Sequence, residues 1–115
     1  MRRILVIAVA AATLLACNAS ADPLRISDAE EAGFEKDQQQ IFQMVQARDG
    51  WSGDWAGDRV ELYEFESKEK VQRDTFKPMV QEDNVSGWVE LCQARNLLML
   101  SKGENACEEL HTLAQ

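Results

Sequence analysis

The chain predicts a small α+β domain of two layers, in the order α-β-β-α-β-β-α, with helices packed on a mostly antiparallel four-stranded sheet. Three observations lead to this class. The runs Arg59–Phe65 and Leu97–Leu100 carry apolar side chains on both faces, as strands inside a sheet do. Turn sequences, Ala56-Gly57-Asp58 and Gln93-Ala94-Arg95-Asn96, separate these runs from shorter partners. The last segment repeats apolar residues every three or four positions, the period of a helix that covers a sheet.

In chain order, Ser27-Asp28-Ala29-Glu30 matches a capping box and opens the first helix. Phe34, Ile41, Phe42 and Val45 then fall at helical spacing. They extend that same helix, whose start Gly33 weakens, so that its firm part runs from Glu35 to Arg48, with Gly50 at its C′ position. A short strand around Trp51–Trp55 follows, then the turn and the strand Arg59–Phe65. In that strand Val60 and Leu62 point one way and Tyr63 and Phe65 the other, which places it near the middle of the sheet. Ser67 caps a second helix that carries Val71 and Phe76 and ends near Lys77, because Pro78 comes next. Met79 to Gly87 reads as an acidic loop. Trp88–Cys92 and Leu97–Leu100 form the remaining strands. Ser101-Lys102-Gly103-Glu104 is a second capping box, opening a helix with the stripe Ala106, Cys107, Leu110, Leu113 and Ala114.

The N-terminus carries an address. Arg2 and Arg3 precede the uncharged run Ile4 to Ala16, which is shorter than the roughly 20 residues of a membrane span. The run ends in Leu14-Leu15-Ala16-Cys17, which resembles the lipobox of bacterial lipoproteins. The resemblance implies a signal peptide over 1–16 and a palmitate-bearing Cys17 as the mature N-terminus. Asn18, where an Asp commonly retains such proteins in the inner membrane, favours an outer-membrane lipoprotein facing the periplasm. Residues 17–26 then hold the lipidated cysteine and a tether interrupted by Pro23, and 27–115 the domain. Ala19-Ser20-Ala21 before Asp22 offers the alternative of ordinary signal-peptidase cleavage, which releases a soluble periplasmic protein without Cys17.

Charge and cysteines narrow the function. The leader takes two of the twelve basic residues and none of the twenty acidic ones, so the mature chain is acidic by ten charges. That excludes the basic footprint of a nucleic-acid binder. It suits either plain solubility or a face for a basic partner. Once Cys17 is set aside, Cys92 and Cys107 remain. In an oxidising compartment they are expected to form a disulfide bond.

No sequence pattern supplies catalysis: G-x-S-x-G, HExxH and P-loop motifs are all missing. Asp49, Asp54 and Asp58 invite a calcium reading, but they miss the ligand spacing of an EF-hand, and Asp beside Gly is ordinary turn chemistry. The single histidine, His111, falls outside the helix stripe and reads as solvated. Trp51 and Trp55 share a strand face, and with Tyr63 they form a candidate aromatic face for a glycan or peptide; filling the core is their other use. Trp88 is a further candidate for such a platform. The expectation is a non-enzymatic, lipid-anchored envelope protein, without cofactor or metal, that binds a periplasmic partner in an accessory or inhibitory role. The alternative is a ligand-binding module built on the aromatic face.

Overall fold

The computed structural model describes residues 22–115; the stretch read as signal peptide and lipobox, with Cys17, lies outside the described residues. The α+β class holds, with five antiparallel strands where four were expected. Helix α1 (Ile26–Glu31) leads to strands β1 (Glu35–Gln39), β2 (Asp49–Trp55) and β3 (Asp58–Glu64). The short helix α2 (Arg73–Phe76) follows, then β4 (Glu90–Ala94), β5 (Leu97–Ser101) and helix α3 (Glu104–Leu113). The spatial order is β1-β2-β3-β5-β4, so β3 is the central strand, as its two apolar faces require.

The predicted helix over Glu35–Arg48 is wrong. Its apparent period came from residues flanking a stretch, Glu35-Lys36-Asp37-Gln38-Gln39, that has no apolar residue. Those five residues form an exposed edge strand paired with β2, with a register shift between Lys36 and Gln38. Charges and an irregular register are common devices for keeping a sheet edge from recruiting other strands. Phe34 and Phe42 then serve opposite faces of the sheet, which one helix face cannot do. Gly50 is a strand residue rather than a helix cap. A Cβ there would lie 2.7 Å from the Tyr63 ring.

Helix α1 begins at Ile26, ahead of the predicted capping box. The carboxylate of Asp28 accepts from the Arg25 amide at 2.8 Å, in place of the Ser27–Glu30 pair. It ends in a Schellman motif: Gly33, at φ 110°, donates to Glu30 and Phe34 donates to Ala29. The predicted second helix is reduced to a 3₁₀ turn at Lys68–Lys70, the single turn of α2 and a further 3₁₀ turn through Pro78.

Two apolar clusters sandwich the sheet, so the two-layer description is also incomplete. On one face Trp55, Val60, Leu62, Leu97 and Met99 meet Ile26 and Ala29 of α1 and Ala106, Cys107 and Leu110 of α3. On the other face Tyr63, Phe65, Leu98 and Leu100 meet Phe76, with half-buried Phe42, Val71, Val80 and Trp88 around them. A disulfide joins Cys92 of β4 to Cys107 of α3, with Cα atoms 5.9 Å apart. It forms because α3 folds back across the sheet towards the strand that carries Cys92.

The start of the domain is part of its core. Leu24 and Ile26, assigned from sequence to the tether, are both buried. The buried Asn96 carboxamide accepts from the Leu24 amide at 2.7 Å and donates to the Leu24 carbonyl at 2.8 Å. It also donates to the Phe65 carbonyl at 2.8 Å. Glu64, buried at the end of β3, accepts from the Ile26 amide at 2.9 Å and from Arg48 through Nε and Nη2 at 3.0 and 2.8 Å. These contacts place the start of the folded domain at Leu24, ahead of the expected boundary at Ser27.

Replacing Asn96→Ala strands three buried backbone groups. It is expected to cost about 3 kcal/mol or more, against less than about 0.5 kcal/mol for Glu109→Ala on the exposed side of α3. Chemical denaturation of both variants measures the difference.

Candidate functional site

The structure does not bring the three residues of the candidate aromatic face together. Trp55 is 1% exposed, its ring 6.0 Å from that of Phe34, and its indole N–H donates to the Ala32 carbonyl at 3.2 Å. Tyr63 is buried on the opposite side of the sheet, 5.1 Å from Phe76. Trp51 is half-buried on the Trp55 side, and the Lys36 ammonium sits 4.4 Å above its ring. Lys36 is held there by Glu30 at 3.4 Å. Of the proposed face, only a ring lidded by a cation remains near solvent. The common face of Trp51 and Trp55 was read correctly, and the core claimed it. Trp88 lies on the Tyr63 side, with Lys102 5.4 Å from its ring.

The three aspartates also serve the fold separately. Asp49 accepts from its neighbour Gly50 at 2.9 Å and from Gln39 at 3.2 Å. Asp54 pairs with Arg59 at 3.6 Å. Asp58 reaches from the β2–β3 turn to the start of α3 and accepts from the Ala106 amide at 2.9 Å. It therefore caps the helix that the Ser101–Glu104 box was expected to cap, while Gly103 leaves room for its carboxylate. His111 is exposed on α3.

A different surface emerges from the stretch read as an acidic loop. Among the described residues the exposed large apolar side chains are Ile41, Met44, Met79, Val85 and Val89. Three of these belong to one segment between α2 and β4. Val85 is fully exposed and Val89 is 58% exposed. The loop is held by its own hydrogen bonds. The Asn84 side-chain oxygen accepts from the Ser86 amide at 2.9 Å, the Ser86 hydroxyl at 2.6 Å and the Gly87 amide at 3.1 Å. The Ser86 hydroxyl lies 3.0 Å from the Met79 carbonyl. Val80, Asn84, Gly87, Trp88 and Val89 line a shallow depression there, with Glu82 beside them.

The loop thus holds Val85 and Val89 in solvent while its own hydrogen bonds order it. Sequence reasoning missed this surface because Glu82 and Asp83 dominated the reading. The legible signal was Asn84-Val85-Ser86-Gly87, an Asx-type turn carrying an apolar residue with no periodic partner.

Tyr63 offers a probe of how firmly the sheet is packed. Burial raises its phenol well above the ordinary value, and the Glu61 carboxylate accepting from it at 2.8 Å pushes further in that direction. The folded state thus keeps a proton that the unfolded chain releases above about pH 10, so stability is full below that pH and falls as pH rises beyond it. Tyr63 is the single tyrosine. Tyrosinate absorbance is therefore expected to stay absent at about pH 11 while the chain is folded, and to appear on unfolding.

No protein-family model matches this chain, and neither a curated protein nor a solved structure is significantly similar to it.

Proposed function

We propose that this protein is a small exported component of a bacterial envelope, lipid-anchored at Cys17 and facing the periplasm. It acts by binding a protein partner in an accessory or inhibitory role. The observation that carries the binding reading is the Met79–Val89 segment, where an ordered loop presents Val85 and Val89 to solvent. Carboxylates at Glu82, Asp83 and Glu90 flank it, which suits a partner segment that is apolar and basic.

The position of the loop supports the same reading. It leads into β4 beside Ser101, whereas Leu24 is held at the other end of β5 by Asn96. Five residues of strand put these ends about 17 Å apart. A protein tethered through its N-terminus thus holds the loop away from the tether. The aromatic-face alternative loses its support, because Trp55 and Tyr63 are buried on opposite faces of the sheet.

The test has two arms. Labelled palmitate is expected to enter the wild-type protein and not Cys17→Ala; an unmodified N-terminus at Asp22 would sink the anchor. Crosslinking in intact envelopes is expected to give one partner adduct, lost in Val85→Ser/Val89→Ser while the melting temperature is kept. An adduct that survives this double change would move the binding surface elsewhere.

A further inference from the structure

We infer that the end of the domain where the chain enters rests directly on the membrane surface, with Ile41 and Met44 as the contacting apolar groups. This rests on the lipid anchor proposed above and adds a second, non-covalent contact to it. The first support is the length of chain available. Leu24 is fixed to Asn96, so only residues 18–23 separate it from Cys17. The seven Cα–Cα steps from Cys17 to Leu24, fully extended, span at most about 25 Å. The entry end of the domain is thereby kept within about that distance of the surface that holds the lipid.

The second support is what that end displays. The register places Gln39, Asp49, Glu64, Leu97 and Ala94 along one edge of the molecule, and the connections 40–48, 65–70 and 95–96 lie beyond it. Ile41 and Met44, on the connection after β1, are 69% and 79% exposed. Asp22 and Pro23 lie at the same end, beside Ser67, Lys68 and Arg95. The Arg95 guanidinium donates to the Asp22 carbonyl at 3.0 Å.

Charge gives the third support. Segments 22–25, 40–49, 64–70 and 94–96 contain five of the ten cations of residues 22–115: Arg25, Arg48, Lys68, Lys70 and Arg95. They contain only five of the twenty carboxylates. With Asp28 and Glu31, which line the same surface as Asp22 and Arg95, this end carries a net charge of −2, and −8 falls on the remainder. An anionic lipid surface repels the acidic remainder more strongly than this weakly charged end, which favours approach by this end. Two apolar side chains at the head-group boundary then strengthen the hold of the lipid.

Methionine oxidation reads the orientation without altering the protein. In the chain from Cys17 onward, the Cys92–Cys107 bridge leaves Cys17 as the single free thiol. That thiol can be coupled to a single-chain maleimide lipid and the product bound to vesicles of phosphatidylethanolamine and phosphatidylglycerol. Under peroxide, sulfoxide formation at Met44 is expected to slow by about fivefold or more on vesicles, while the rate at Met79 changes by less than about twofold. Because one acyl chain binds only marginally, Ile41→Ser/Met44→Ser should weaken vesicle partition by about tenfold.

Unchanged oxidation at Met44, equal slowing at both methionines, or wild-type partition of the double variant would each overturn the docked orientation. The two readings fail separately. An unmodified N-terminus at Asp22 in cells removes the anchor, and the docking with it. An unprotected Met44 in the coupled protein removes only the docking.

Discussion

One buried carboxamide organises the start of this molecule. Asn96 occupies the second position of a two-residue turn between β4 and β5, and it is 1% exposed. A primary amide carries one strong acceptor and two donor hydrogens. Here both donors and the acceptor are used, two of the three on a residue 72 positions away in sequence. The Leu24 backbone is treated as though it were opposite a strand, and the Phe65 amide adds a further bond to the Asn96 carbonyl. With Leu24 fixed, Ile26 enters the first cluster and α1 is set across β3. Helix propensity alone does not hold a six-residue helix in place, so burial of Ile26 and Ala29 and these hydrogen bonds fix it.

The remaining polar contacts follow a similar logic, in which side chains from turns and strand ends serve backbone groups far away. Asp58 caps α3 from the β2–β3 turn, and Glu64 receives the Ile26 amide together with Arg48. Each carboxylate thereby ties a terminal helix to the central hairpin. The disulfide adds a covalent version of the same tie between β4 and α3, worth about 3 kcal/mol through the unfolded state. A domain of this size buries a limited apolar area, so such ties decide whether its ends stay attached. The surfaces left free of them are the Met79–Val89 loop and the Ile41–Met44 turn, at opposite ends of the sheet. Under the proposed anchor, one faces outward and the other faces the lipid.

What the sequence disclosed was set by how local each signal is. The two-faced strands β3 and β5 were legible because their apolar residues contact both clusters directly. Helix α3 was legible because its stripe is regular, and the Cys92–Cys107 pairing followed from compartment and topology together. Strand β1 was illegible. Its five residues carry no apolar pattern, and its place depends on backbone pairing with β2 and on polar side-chain contacts of Lys36, Asp37 and Gln39. Its flanking aromatics imitated a helical period while serving opposite faces. The roles of Asn96 and Asp58 were likewise hidden, since both reach partners dozens of positions away. The Met79–Val89 loop was written in the sequence, but its exposed valines became informative only once the core had been shown not to need them.

The central claim is that the chain becomes part of the folded core at Leu24, which fixes both the tether length and the direction in which the domain faces. Native-state hydrogen exchange tests it directly, because the Leu24 and Ile26 amides donate to Asn96 and Glu64 respectively. Both amides are expected to exchange only through global unfolding, with the same free energy of opening as the Leu98 and Leu100 amides of β5. Exchange of Leu24 and Ile26 by local fraying, while β5 stays protected, would contradict the account and return those residues to the tether.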